Sequence, residues 1–172
     1  MVNIFWEDLV VGTVAQYGPY IVTREEILTF AGEFDPQPMH LDEEAARSSM
    51  LGGLAASGWH VCAILMRMLA DGFVLKAASW GAPGVEEVRW VRPVRPGDHL
   101  TLRIVTTATR ILKSRPAVGL TKFNMEMFNQ SGNLVMTMIA SLMLARRYPG
   151  DEILEDIVDT DADSRSSGKG DP

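Results

Sequence analysis

Residues Trp59 to Ala70 hold only two polar side chains, His60 and Arg67. Trp59, Val61, Cys62, Ile64, Leu65, Met66, Met68 and Leu69 fall on every side of a helix drawn through them, and a helix apolar all round yet too short to cross a bilayer has to be wrapped by protein. The run before it, Gly52-Gly53-Leu54-Ala55-Ala56-Ser57-Gly58, is small and flexible. Ser57 or the glycines supply the helix start, so free backbone N–H groups point into whatever lies at that end.

From residue 84 onward the periodicity changes to two. Val88, Trp90 and Val91-Arg92-Pro93-Val94 predict one strand, broken at Arg95-Pro96-Gly97-Asp98. Leu100, Leu102 and Ile104 alternate with Thr101 and Arg103 in the next; Phe123, Met125 and Met127 alternate with Lys122, Asn124 and Glu126 in a third. Asn129-Gln130-Ser131-Gly132-Asn133 predicts a hairpin turn, and a long strand from Leu134 to about Arg146 closes the set. Val135, Ile139 and Met143 are apolar on its second face too, which predicts cover on both sides. One buried helix followed by long antiparallel strands predicts an α+β architecture in which the sheet curls around the helix, the hot-dog fold. There is no internal repeat.

Ahead of the helix, residues 4 to 12 read as a lead-in with a turn at Gly12, followed by a strand through Thr13–Tyr17 and Tyr20–Val22. Thr23 is an N-cap with Glu26 three residues on, a capping box, and Ile27, Leu28, Phe30 and Ala31 follow at helical spacing. That helix delivers the chain to Asp35-Pro36-Gln37-Pro38-Met39-His40. Two prolines fix their own φ and push Asp35 and Gln37 toward extended backbone, so a stiff loop, neither helix nor strand, holds a carboxylate and an imidazole at a set separation. Paired acid/base chemistry requires that. The competing reading is a surface turn in which Asp35 caps and His40 packs. Beyond it, Asp42 can cap a short helix through Glu43–Arg47.

At 172 residues the chain is expected to be one domain, residues 1–150, with an acidic tail at 151–172. The tail carries eight acids against Arg165 and Lys169, so the remainder balances fourteen acids with fourteen bases. No basic footprint for nucleic acid and no polybasic membrane patch is present, and the last dozen residues, rich in Ser, Gly and Asp, predict disorder. No uncharged apolar run reaches bilayer length, and the N-terminus lacks the basic and apolar regions of a secretory signal, which predicts a cytoplasmic protein. Cys62, the single cysteine, is expected to pack as a small buried side chain. His40, His60 and Cys62 show no spacing that closes a zinc site, so no metal is expected. His60 is expected to pack or face an interface, His99 to be exposed, and Trp90 to lie in the core or a dimer interface. Arg92 and Arg95 fit either coenzyme A phosphates or a solvated strand edge.

Three stretches in this order, Asp35-Pro36-Gln37-Pro38-Met39-His40, Ala56-Ser57-Gly58-Trp59-His60 and Arg92-Pro93-Val94-Arg95-Pro96-Gly97-Asp98, resemble the MaoC-like dehydratases, which include the (R)-specific enoyl-CoA hydratases. The resemblance spans roughly residues 5 to 147. It implies that Asp35 and His40 are the catalytic pair, holding one water for reversible addition to a trans-2-enoyl-CoA, with no cofactor beyond the coenzyme A carried by the substrate. It also implies that the Gly58 backbone N–H, with Ser57 and Gln37 nearby, meets charge on the thioester oxygen. The best-known hydratases carry Asn where Gln37 stands, and a serine within the central helix of some relatives is replaced here by Met66 or its neighbours. Both departures bear on acyl specificity. Leu65, Met66 and Met68 either line an acyl tunnel or fill core, and core is favoured. A hot-dog acyl-CoA thioesterase and a non-catalytic acyl-binding or partner subunit are the alternatives. An exposed sheet edge predicts a homodimer.

Overall fold

The alternation in the second half of the chain produces a five-stranded antiparallel sheet in the computed structural model, which describes residues 1–149. The expected tail lies outside the described residues. Strands β1 (Val14–Ile21), β2 (Ser79–Trp90), β3 (His99–Leu112), β4 (Arg115–Phe128) and β5 (Leu134–Ala145) stand in the order β1-β3-β4-β5-β2, so β1 and β2 are the edges. One row of side chains from each central strand is buried: Leu100, Leu102 and Ile104; Phe123, Met125 and Met127; Met136, Met138, Ala140, Leu142 and Leu144. They form one core with Val61, Ile64, Leu65, Met68 and Leu69 of a long helix, Gly58–Gly72. Each Val, Leu, Ile, Phe or Met side chain among them contributes roughly 1.5–3 kcal/mol by leaving water. A sheet around one central helix is the hot-dog fold that the sequence predicts.

Three short helices lie between β1 and this long one. Helix α1 (Arg24–Phe34) is capped by Thr23, whose hydroxyl accepts the Glu26 amide at 3.2 Å. Only half of the expected capping box forms, because the Glu26 carboxylate accepts the Tyr20 hydroxyl instead. Helix α2 is a single turn, Pro38–Leu41, and α3 runs Glu43–Ser48 with Asp42 accepting the Ala45 amide at 2.8 Å. The long helix is α4. The segment around His40 is therefore not loop throughout. Pro38 sits at the first helical position, where its missing N–H costs nothing and its φ suits a turn.

Other expectations need correcting. Among the described residues α4 is covered on one side only: Trp59 and Met66 are 62% and 49% exposed, and Ala63 and Arg67 are exposed between and beside them. A single sheet offers one concave face, so Met66 is not core while Leu65 and Met68 are. Continued into Val74–Lys76, the segment counts 19 residues and is long and apolar enough, by length and composition, to cross a membrane; here its buried face lies on the sheet. Strand β2 begins earlier than expected, at Ser79, and ends at Trp90. Gly81, Pro83 and Gly84 are accommodated because this is an edge strand with shifts of register. After Trp90 the Val91 and Arg92 amides both turn to the Val135 carbonyl, at 2.8 and 3.2 Å, and Pro93 has no donor to extend the ladder. The outer face of β5 is covered in part: Val135 is buried, whereas Ile139 and Met143 are half-buried. Charged side chains flank that face through Lys122–Glu86 and Arg103–Glu126 pairs, each at 2.7 Å.

Candidate active site

Helix α1 stops where Pro36 forbids another turn. The Asp35 amide bonds back to the Ala31 carbonyl at 3.0 Å, and the Gln37 amide bonds to the Asp35 carbonyl at 2.7 Å. The one-turn helix that Pro38 starts then carries His40 inward, where it is buried. Five positions of sequence become 3.7 Å between Asp35 Oδ2 and His40 Nε2. Asp35 is the C-cap of α1 and His40 is packed, as the surface-turn reading also expects, but both side chains are turned toward the start of α4, through Ser57 and the Ala55 carbonyl.

The imidazole is oriented from behind. His40 Nδ1 lies 2.9 Å from the Ala55 carbonyl. A carbonyl can only accept, so Nδ1 carries a proton, and in the neutral form of the ring the lone pair is then at Nε2, the nitrogen turned toward Asp35. Ala55 is in turn fixed by the turn before β3. Ala56 donates to the Val94 carbonyl at 2.9 Å, and the Arg95 guanidinium donates to the carbonyls of Leu51 and Leu54. Buried Asp98 holds that turn by accepting the Arg95 amide at 2.7 Å and the Gln130 side chain at 3.1 Å. The Arg-Pro-Gly-Asp stretch is thus a brace for the backbone behind His40. Arg95 is engaged there, and exposed Arg92 donates to the Leu134 carbonyl at 2.8 Å.

The carboxylate is oriented from two sides. Asp35 Oδ2 accepts the Ser57 hydroxyl at 2.5 Å and Oδ1 accepts the Gln37 amide group at 2.7 Å. The Ser57 bond first, and then Gln37, hold its carboxyl below the usual aspartate range; burial opposes them and His40 adds to them. Ser57 is also the N-cap of α4, accepting the Trp59 amide at 3.3 Å. One hydroxyl therefore ties the start of the buried helix to the carboxylate. Among the described residues the Gly58 amide, one place earlier, has no acceptor of its own. All five residues named from the sequence, Asp35, His40, Gln37, Ser57 and Gly58, lie on this one stretch of surface and core, with Ser57 and Gln37 bonded to Asp35.

An ionised carboxylate and an imidazole lone pair are both acceptors, and at 3.7 Å they cannot satisfy each other. A water has two donors to offer them. Its oxygen lone pair then remains free to attack.

The other candidates fall outside this geometry. His60 is buried, stacks on Phe30 with centroids 4.7 Å apart, and its Nδ1 has no hydrogen-bond partner among the described residues; burial pushes its pKa down. His99 is exposed. Cys62 is half-buried and burial pushes its thiol up, which makes it a poor nucleophile. Trp90 is 48% exposed and so is not core. Sequence reading missed the Ala55 carbonyl, which no side chain could announce. It also missed the approach of Trp90 to Gly58, which depends on how β2 passes α4.

Residues 10–126 match a family model described as a MaoC like domain. A MaoC-like dehydratase structure from Rhodospirillum rubrum is 41% identical, covers 84% of this chain and 99% of its own, and superposes with a TM-score of 0.76. An unliganded (R)-hydratase from Pseudomonas aeruginosa is 25% identical, with 84% and 87% covered and a TM-score of 0.66. A UPF0336 protein of Streptomyces avermitilis is 32% identical over 132 residues, 73% of this chain and 85% of its own.

Proposed function

The chain belongs to the MaoC-like dehydratase family, and from that premise we propose that it is a hydro-lyase interconverting a trans-2-enoyl-CoA and its 3-hydroxyacyl-CoA. The supporting observation is the 3.7 Å gap between two acceptors, each fixed by separate hydrogen bonds. One water donates to His40 Nε2 and to Asp35 Oδ2. Its oxygen attacks the β-carbon as the β-carbon gives up its share of the carbon–carbon π bond, and His40 takes the proton. The imidazolium, beside the Asp35 carboxylate, then returns that proton to the α-carbon, so one water is added and both residues end as they began. Negative charge on the thioester oxygen during the step meets the Gly58 N–H, whose helix supplies further positive potential at that end. Dehydration is the same path reversed.

Edge strand β2, which has no second neighbour among the described residues, and the exposed Trp59, Met66, Trp80 and Trp90 support a homodimer, checked by sedimentation at micromolar concentration. Incubation with crotonyl-CoA and a thiol reagent tests the reaction. Loss of enoyl absorbance without free thiol is the expected result. Release of thiol would favour a thioesterase, and no change would leave a non-catalytic acyl-binding subunit.

A further inference from the structure

Trp90, the last residue of β2, lies against the backbone of Gly58 in the first turn of α4. A Cβ added at Gly58 would stand 2.5 Å from Trp90 Cε2, 2.7 Å from Cδ2 and 2.9 Å from Nε1. Real Cβ atoms do not come so close, and the obstacle is a rigid fused ring. The indole is itself held in place. Trp59 meets it edge-on, with centroids 5.5 Å apart and planes at 76°. Pairing of Trp90 with Met136 of β5 fixes the strand end from which the ring projects. Neither tryptophan is held there by burial, since both are about half exposed or more.

We propose that Trp90 is the positioning residue for the Gly58 amide. Its indole presses on the glycine backbone from the edge strand and fixes where the N–H points, so position 58 tolerates only glycine because the tryptophan fills the side-chain space. Trp59, edge-on to the indole, then serves as the brace for the ring. The inference rests on the reading of Gly58 as the donor to the thioester oxygen and adds to it the residue that aims that donor. A misaimed donor loses transition-state stabilisation without preventing substrate from binding, so the effect belongs in kcat more than in KM.

Gly58→Ala, Trp90→Ala, Trp90→Phe and the double variant Gly58→Ala/Trp90→Ala test this by hydration kinetics and thermal midpoint. Gly58→Ala is expected to lower kcat roughly a hundredfold, the scale of a displacement near 1 Å, and to lower the midpoint by several degrees. Trp90→Ala lowers kcat less, and Trp90→Phe less again. Removing the ring makes room for the methyl group, so the double variant recovers both kcat and midpoint relative to Gly58→Ala. A double variant as impaired as Gly58→Ala, or a Trp90→Ala protein with unchanged kcat, would overturn the proposal. If the natural chain hydrates no enoyl thioester, the proposed reaction fails separately. The midpoints then still decide the clamp: recovery in the double variant upholds it and additive losses overturn it.

Discussion

The chain buries two histidines, His40 and His60, near the same end of α4, and their surroundings differ in every respect that matters to chemistry. His40 is held by a backbone carbonyl at Nδ1, and its free lone pair faces a carboxylate. His60 is held by ring stacking on Phe30, and its Nδ1 meets no partner among the described residues. Both are about equally buried, at 5% and 6% exposure. Burial therefore does not make an imidazole catalytic; a fixed tautomer aimed at a second polar group does.

The largest expected effect follows from removing what is aimed. His40→Ala and Asp35→Asn should each lower hydration turnover by roughly 10²–10⁴-fold, while His60→Phe, which keeps a ring against Phe30, should stay within severalfold of the natural protein. Comparable losses in all three would erase the distinction. Ser57→Ala comes next, since it removes the hydrogen bond that most favours the Asp35 carboxylate and the cap of α4 together. It should cost about 0.5–2 kcal/mol in denaturant unfolding. It should also move the acid limb of the rate profile upward, because Asp35, now held below its ordinary value of 3.8, would need a higher pH to stay ionised. Gln37→Ala should move that limb in the same direction by less.

The smallest effect concerns stability and sharpens the contrast from the other side. Burial lowers the folded-state pKa of His60 from 6.5, with Glu26 opposing the shift. A depressed pKa means that the unfolded chain takes up a proton before the folded one does, so this contribution is complete above about 6.5 and is lost as pH falls toward the folded value. Unfolding free energy measured against pH should fall on acidification through that window, and His60→Phe should flatten the fall. An unchanged slope would show that His60 is solvated.

Much of this was legible in the residues. Period-two alternation from Leu100 to Ile104 and from Lys122 to Met127 found two strands of the sheet, but not their reach. The hairpin between Leu112 and Arg115 lacks the Asn-Gly or Asp-Gly signal that marks such turns. The all-round apolar character of α4 predicted burial on every side, because composition cannot tell a face covered by the chain's own sheet from one left open. Asp35 and His40 were found through the two prolines between them. Their tautomer and protonation state depend on the Ala55 carbonyl and the Ser57 hydroxyl, contacts made across 15 and 22 residues. Local pattern does not encode such distances.

Reaction in heavy-oxygen water puts the shared-water claim to its most direct trial. Mass analysis of the product from crotonyl-CoA should find the heavy oxygen in the 3-hydroxyl of an intact thioester, formed by the natural chain and reduced to near background by Asp35→Asn and by His40→Ala. Heavy oxygen in a released carboxylate, or labelled 3-hydroxyacyl product formed equally well by all three proteins, would contradict it.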